Sequence, residues 1–286
     1  MDATEVDPGL RRDLGRLAVE VAQEAGRLVL DGRPAELGVA STKSSSTDVV
    51  TVMDQRSQDL VRERLLAMRP DDAFFGEEEG GASGTSGITW VVDPIDGTVN
   101  YLYGIPAYAV SVAAVVGDPR APGQWQPVAG AVVNPVLAET YSAVLGEGAR
   151  LSSPAGEREL RVTGPQGLNE ALVGTGFGYV AERRAWQARV LAPLLEQVRD
   201  IRRMGSASLD LCAVATGRLD AYYERGLNPW DLAAGWLVAT EAGALVTGLE
   251  APISDRMLVA GAPGVHPVLL EALRGLVADA GDDLSL

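Results

Sequence analysis

Hydrophobic positions near the start of the chain recur at helical spacing. Asp7-Pro8 has the form of an N-cap followed by proline in the first helical position, and the pattern ends at Gly32. A second helical pattern runs from about residue 54 to residue 68, where a proline stops it. The polar segment 41–48 between them is predicted to be a surface loop. The apolar positions of the first helix are Leu10, Leu14, Leu17, Val21, Ala25 and Leu28.

Beyond residue 88 the apolar positions form short β-rich runs that clusters of Gly and Pro separate. Such runs predict an antiparallel sheet. The four predicted strands are 88–92, 107–116, 128–133 and 139–145.

After about residue 150 helices alternate with strands, which is typical of an α/β arrangement. The polar stretch 146–167 is the best candidate for a boundary, and it divides the chain into an N-terminal α+β half, 1–150, and a C-terminal α/β half, 151–286. The helices predicted in the second half are 185–198, 206–216, 232–242 and 267–276.

Composition excludes several classes of function. The 286 residues are 47% hydrophobic and 22% charged, which is ordinary for a globular protein. With 24 Lys and Arg against 39 Asp and Glu, the net charge of -15 disfavours binding to nucleic acid or to anionic membranes. No apolar run approaches the roughly 20 residues of a membrane span, and the N-terminus lacks the features of a secretory signal. The expected location is therefore the cytoplasm.

The counts of one Cys and one His restrict the chemistry further. Cys212 alone cannot form an internal disulfide, and with His266 it cannot complete a structural zinc site. An enzyme with this composition must rely on carboxylates.

Two carboxylates stand three residues apart where a predicted apolar strand ends. Asp93-Pro94-Ile95-Asp96-Gly97 can direct both side chains to one point, and carboxylate and carbonyl oxygens are the ligands that Mg²⁺ prefers. By itself the segment is more typical of an ordinary turn, because Asp, Pro and Gly are the usual turn residues.

Acidic residues at three further places in the sequence are also ambiguous between a functional and a structural role. Glu77-Glu78-Glu79 can hold a cation or be a solvated loop. Asp231 and Asp54 each stand where a predicted helix begins, so that each is a candidate helix cap as well as a candidate functional carboxylate.

Together these segments resemble, in order and spacing, the signature of the inositol monophosphatase family, in its bacterial SuhB-like branch. Met53 and Ser46 depart from the family pattern, at positions where a small polar residue and a proline are common. The matching segments are Lys43-Ser44-Ser45, Val50-Thr51-Val52-Met53-Asp54, Gly76-Glu77-Glu78, Asp93-Pro94-Ile95-Asp96-Gly97-Thr98, Gly205-Ser206-Ala207, Ala221-Tyr222-Tyr223-Glu224, Trp230-Asp231 and Glu241-Ala242-Gly243.

The resemblance implies a layered αβαβα sandwich and a Mg²⁺-dependent phosphomonoesterase. By resemblance, Glu77, Asp93 and the carbonyl of Ile95 hold one Mg²⁺, and Asp93, Asp96 and Asp231 hold a second. Glu77 also reaches a third, weaker ion. Thr98 and Asp54 accept the proton of the attacking water, so that the catalytic set is Asp54, Thr98 and Glu77.

The substrate implied by the resemblance is a small phosphorylated polyol such as inositol 1-phosphate. The resemblance also implies a homodimer and inhibition by lithium. The backbone N–H groups of Gly97 and Thr98 stand where a helix can begin and can receive phosphate oxygens. The predicted substrate contacts are Ile95, Asp96, Gly97, Thr98, Arg203, Gly205, Ser206, Ala207, Glu224 and Asp231.

Several alternatives remain open at this point. The same metal site serves phosphatases that act on histidinol phosphate, fructose 1,6-bisphosphate or nucleotide 3'-phosphates, although Glu224 with Trp230-Asp231 favours a polyol monophosphate. A SuhB-like chain can also act through protein contacts without catalysis. Gly176-Phe177-Gly178 opens a pattern that is also found at dinucleotide sites, with Glu196 or Asp200 at about the expected distance, but in mid-chain an ordinary turn is favoured.

Overall fold

The computed structural model of the chain describes residues 3–34, 38–43, 49–78, 80–250 and 252–281. No helix in these ranges is both long and apolar enough to span a bilayer. The helices are α1 Pro8–Asp31, α2 Val52–Met68, α3 Thr98–Tyr103, α4 Ala181–Leu194, α5 Ala207–Ala215, α6 Pro229–Glu241 and α7 His266–Ala280. The strands are β1 Ser41–Thr42, β2 Val49–Val50, β3 Ala73–Gly76, β4 Ile88–Asp96, β5 Ala109–Gly117, β6 Trp125–Asn134, β7 Glu139–Val144, β8 Gly148–Ser153, β9 Gly156–Glu159, β10 Leu172–Thr175, β11 Asp200–Arg202, β12 Ala221–Glu224, β13 Leu245–Gly248 and β14 Leu258–Gly261.

Helix α1 forms as its sequence predicts. The Asp7 side chain accepts a hydrogen bond from the Leu10 N–H at 3.0 Å, which satisfies one of the N–H groups that the first turn leaves without a partner. At the other end the Gly32 N–H donates to the Leu28 carbonyl. The helix buries one apolar stripe, which includes Leu14 and Val21, against a sheet.

Seven strands form the larger sheet, in the order β3-β4-β5-β6-β7-β8-β9. Strands β4 to β9 pair antiparallel, which confirms the predicted antiparallel sheet, and β3 pairs parallel to β4. In β5 every residue except the last is buried, because helices cover both faces of the sheet.

The smaller sheet has five strands in the order β11-β10-β12-β14-β13. Its first three strands are parallel, whereas β14 runs antiparallel to both β12 and β13. A helix lies between each pair of consecutive strands from β10 to β13, as the alternating pattern of the second half predicts, whereas β13 and β14 follow one another without a helix between them.

The elements stack in five layers with a hydrophobic core at each of the four interfaces. Helices α1 and α2 cover one face of the large sheet, and α5 and α6 lie between the two sheets. Helices α4 and α7 cover the outer face of the small sheet. This arrangement confirms the predicted αβαβα sandwich.

Some predicted bounds were wrong. Helix α2 begins at Val52, because Thr51 caps it and its hydroxyl accepts the Met53 N–H. Helix α4 begins and ends about four residues earlier than predicted. The segment 41–48 is only partly loop, since β1 pairs antiparallel with β2, and residues 44–48 lie outside the described ranges. Residue 150 lies inside β8, and the division into halves at this residue remains a prediction.

Candidate active site

The end of β4 brings two carboxylates to one place. The pairing of β4 with β5 shifts between Asp93 and Asp96, where the intervening proline cannot donate a ladder hydrogen bond. The Asp93 carboxylate accepts the N–H of Ile95 at 3.0 Å, and Ser57 of α2 donates to the carbonyl of Pro94 at the same distance. This irregular strand end is therefore held by the Asp93 side chain from within β4 and by Ser57 from α2.

A third carboxylate reaches the same point from α6. Oxygen atoms of Asp93, Asp96 and Asp231 all lie within 4.8 Å of one another. Asp231 stands in the first turn of α6 and accepts the N–H of the N-cap Asn228 at 2.6 Å. Asp231 is thus not the N-cap that the sequence suggested but the third helical residue of a capping box. This does not compete with a ligand role, because a carboxylate accepts several bonds.

Asp96 fixes the start of α5. Its carboxylate accepts the Ser206 hydroxyl at 2.7 Å and the Ser208 N–H at 2.7 Å, and it also accepts the Ser208 hydroxyl and the Ala207 N–H. Ser208 is absent from the predicted site. The only signal for it in the sequence is a serine pair at a predicted helix start, and that signal does not identify Asp96 as the partner.

Glu77 follows β3 and lies beside Lys43. The Lys43 ammonium lies 2.8 Å from the Glu77 carboxylate and 2.6 Å from that of Glu78. Burial raises the pKa of Glu77 to about 7, although its side chain keeps 20% exposure and Lys43 opposes the shift. Ser44, Ser45, Ser46 and Glu79 lie outside the described residues.

Thr98 and Asp54 are in contact, as the family pattern implies. The Thr98 hydroxyl lies 3.2 Å from Asp54 Oδ1 and 3.0 Å from the Ile95 carbonyl. Asp54 Oδ2 accepts both the N–H and the hydroxyl of Thr51, so that Asp54 belongs to a capping box at the start of α2. Burial is the main cause that raises the pKa of Asp54 to about 6.

These groups surround a cavity of about 370 Å³. Every residue predicted to bind metal or substrate lines it, and Asp54 stands behind Thr98.

Gly97 has a φ of 96°, and a Cβ there would press on the Ala107 and Gly205 carbonyls, so that only glycine fits. Tyr222 donates a hydrogen bond to the half-buried Glu224 carboxylate, and removal from solvent raises the pKa of Glu224 to about 7.

The donor set fits a hard divalent cation. Burial, followed by the charge of neighbouring acids, raises the pKa values of Asp93 and Asp231 well above their usual range. Several carboxylates so close together in a shielded site repel one another until a cation neutralises them. Since the donors are all oxygens, Mg²⁺ is a better match than a metal that prefers sulfur or imidazole ligands.

We expect the metal-free protein to lose stability as pH rises. The raised pKa values mean that between about pH 4 and 7 the folded state holds more protons than the unfolded state, so that the free energy of unfolding falls with pH. In chelator the Tm at pH 5.5 should exceed that at pH 7.5 by at least about 3 °C. Saturating Mg²⁺ should stabilise more at the higher pH, because it binds deprotonated carboxylates. A Tm in chelator that is flat or rises over this range would contradict the prediction.

Comparison with known proteins agrees with this geometry. A family model described as the inositol monophosphatase family matches residues 11–281. This chain belongs to the inositol monophosphatase family. It is accordingly an enzyme of the phosphoric monoester hydrolase class.

Relatives match nearly the full length of the chain. The inositol-1-monophosphatase of Mycobacterium bovis is 48% identical over 278 residues, which are 91% of this chain and 93% of the relative. The Nus factor SuhB of Pasteurella multocida is 35% identical over 268 residues, 92% and 96% of the two chains. The solved structure of Mycobacterium tuberculosis SuhB has a TM-score of 0.78 and 46% identity, and the match covers 93% of this chain and 97% of that one.

Proposed function

We propose that this enzyme hydrolyses a polyol monophosphate, with inositol 1-phosphate as the reference substrate, to the free alcohol and phosphate in a Mg²⁺-dependent reaction. The observation that carries the proposal is the convergence of Asp93, Asp96 and Asp231 within 4.8 Å in a cavity that Thr98 and Glu224 also line. The M. bovis relative carries the name inositol-1-monophosphatase, which supports the same substrate class.

The proposed ligands divide into two sets that share Asp93. Glu77, Asp93 and the Ile95 carbonyl would hold one Mg²⁺. Asp93, Asp96 and Asp231 would hold the other. Bound there, two such ions would lower the pKa of a water molecule and would neutralise charge on the phosphate and on the leaving oxygen. A third ion near Glu77 remains a prediction.

Thr98 and Asp54 are proposed to accept the proton of the attacking water. The Thr98 Oγ1 takes that proton while its own hydroxyl proton passes to Asp54 Oδ1, 3.2 Å away. Burial keeps the pKa of Asp54 above that of an ordinary aspartate, at about 6, which makes it a better proton acceptor once it is ionised. No histidine is required for this step.

The remaining lining is proposed to hold the polyol and its phosphate. Gly97 and Thr98 line the cavity at the start of α3, and backbone N–H groups at a helix start suit phosphate oxygens. Carboxylates at Asp96, Glu224 and Asp231 suit sugar hydroxyls, which donate to them. The other predicted substrate contacts, Ile95, Arg203, Gly205, Ser206 and Ala207, line the same cavity.

The charge of the site agrees with a metal requirement. The four carboxylates Glu77, Asp93, Asp96 and Asp231 carry four negative charges when ionised, which two Mg²⁺ would neutralise. In a chain with a net charge of -15, an anionic substrate would otherwise be repelled. Substrate binding should therefore depend on metal occupancy.

The test is phosphate release from inositol 1-phosphate, histidinol phosphate and fructose 1,6-bisphosphate, with Mg²⁺ and with chelator. We expect release from inositol 1-phosphate in Mg²⁺ and none in chelator. Preference for histidinol phosphate would correct the substrate. No release from any of the three, from folded protein in saturating Mg²⁺, would overturn the proposal and favour the role through protein contacts that the sequence left open; the P. multocida relative carries the name Nus factor.

Four other expectations from the sequence remain predictions: a homodimer, inhibition by lithium, a cytoplasmic location and the absence of direct binding to nucleic acid. Sedimentation tests the first, and adding LiCl to the phosphate-release assay tests the second.

A further inference from the structure

A second cavity, of about 180 Å³, lies where helices α4 and α7 meet the segment that joins β13 to β14. We call it the arginine cavity. Among the described residues that line it, the bases are Arg225, Arg256 and Arg274, whereas Glu250 is the single acid. In a chain with a net charge of -15, such a local excess of arginine indicates a place for carboxylates.

Arg225 belongs to the walls of both cavities. It lines the arginine cavity on one side and the active-site cavity on the other, and it is buried. Its guanidinium lies over the ring of Trp186, with 4.5 Å between Cζ and the ring centroid, which is a cation–π contact. Because Arg225 directly follows Glu224, a group that holds Arg225 from the arginine cavity also restrains this proposed polyol contact.

The described part of the chain ends beside the arginine cavity. Helix α7 ends at Ala280, and the Gly281 carbonyl accepts the Trp186 Nε1–H at 2.7 Å. Gly281 has a φ of 76°, the left-handed conformation in which glycine commonly follows a helix. Since Trp186 and Ala278 line the arginine cavity, the residues after Gly281 start at its edge.

The next residues of the sequence complement this lining. The segment 282–286 is Asp-Asp-Leu-Ser-Leu, with two acids and no base, and it lies outside the described ranges. Arg274 already faces Glu271 at 3.7 Å and donates to the Leu249 carbonyl. Arg225 and Arg256 are therefore the two guanidinium groups that the inference uses.

We propose that Asp282 and Asp283 dock in the arginine cavity, where their carboxylates pair with Arg225 and Arg256 and so fix the wall of the active-site cavity that carries Glu224. The planar fork of N–H donors on a guanidinium matches the two oxygens of a carboxylate. The two aspartates are positioning residues, since they act on polyol binding through Arg225. This effect on Glu224 rests on the proposed function, whereas the docking itself does not.

A double-mutant cycle tests the docking without substrate. At low ionic strength, Asp282→Asn/Asp283→Asn should lower the Tm by at least about 3 °C, and Arg256→Gln should also lower it. All three substitutions together should lower the Tm by clearly less than the sum of the two effects, because both changes remove the same pairing. Arg256 suits the cycle because it lines the arginine cavity and not the active-site cavity.

Asp13→Asn/Glu196→Gln is the control, since it removes two negative charges at exposed positions outside both cavities. Its Tm should stay close to that of the wild type, and its effect should add to that of Arg256→Gln.

Kinetics with two substrates in Mg²⁺ test the effect on the active site. Asp282→Asn/Asp283→Asn should raise the KM for inositol 1-phosphate by about fivefold, the lower end of typical couplings between two sites, with little change in kcat. p-Nitrophenyl phosphate has no hydroxyl groups to reach Glu224, so that its kcat/KM should stay close to the wild-type value. The control variant should match the wild type with both substrates.

Additive Tm effects of the aspartate and Arg256 substitutions overturn the inference, as does an unchanged KM for inositol 1-phosphate. An equal loss of kcat/KM with both substrates overturns the positioning role, because polyol binding would not be what the segment supports. If the wild type releases no phosphate from inositol 1-phosphate, the proposed function fails instead, and the Tm cycle still decides whether the segment docks.

Discussion

Asp93→Asn is expected to lower kcat/KM for inositol 1-phosphate in Mg²⁺ by about a thousandfold or more. Asp93 is buried at the end of β4 and is the carboxylate shared by both proposed ligand sets. Loss of groups that merely orient metal ligands costs about 10–100-fold, so that a shared ligand should cost more. Raising the Mg²⁺ concentration should not restore the activity, and phosphate release over a Mg²⁺ titration measures this.

The same substitution should change stability in the opposite direction. In chelator at pH 7.5 Asp93→Asn should have a higher Tm than the wild type, because it removes a buried carboxyl whose pKa is raised by burial and by the adjacent Glu77, Asp96 and Asp231. The rise in Tm that Mg²⁺ gives the wild type should largely disappear. Asp13→Asn, at an exposed position of α1 far along the chain from the site, is the control. Activity within tenfold of the wild type would exclude Asp93 as a shared ligand.

Local sequence signals predicted the frame that carries this site. The N-cap of α1, the apolar run of β5 and the two carboxylates at the end of β4 are each encoded by neighbouring residues. The first two formed as predicted, whereas β4 continues through the predicted turn to Asp96. The residues predicted to bind metal and substrate meet in one cavity, and they were predicted from the resemblance to a family whose model matches residues 11–281.

Contacts between distant layers could not be predicted from the sequence. The bond from Ser208 to Asp96 joins residues 112 positions apart, and it exists because α5 packs against the end of the large sheet. Likewise, the reason for glycine at positions 176 and 178 is seen only in the structure, where the Glu224 and Arg183 side chains occupy the space that a Cβ would need. A glycine pair has the same appearance in a sequence whether it receives a pyrophosphate or a neighbouring side chain.

Asp54→Asn is expected to lower kcat by about a hundredfold, the lower end of what a positioned proton acceptor contributes, with little change in KM. The amide keeps the size of the carboxylate but cannot take the proton that Thr98 passes on. Because Asp54 does not line the cavity and is not a proposed ligand, the Mg²⁺ concentration for half-maximal activity should stay close to that of the wild type. Single-turnover phosphate release and a Mg²⁺ titration separate the two effects.

Asp54 also stabilises the start of α2, and a matched variant separates this role from proton transfer. Thr51→Ala breaks the capping box while leaving the Asp54 carboxylate and its contact with Thr98. It should cost about 1 kcal/mol of stability, as a lost cap does, and lower kcat far less than Asp54→Asn. Thr98→Ser keeps the hydroxyl and should retain most of the activity that Thr98→Ala loses. If Thr51→Ala reduced kcat as much as Asp54→Asn does, the effect at Asp54 would be one of helix stability, and the proton acceptor would have to be sought elsewhere in the cavity.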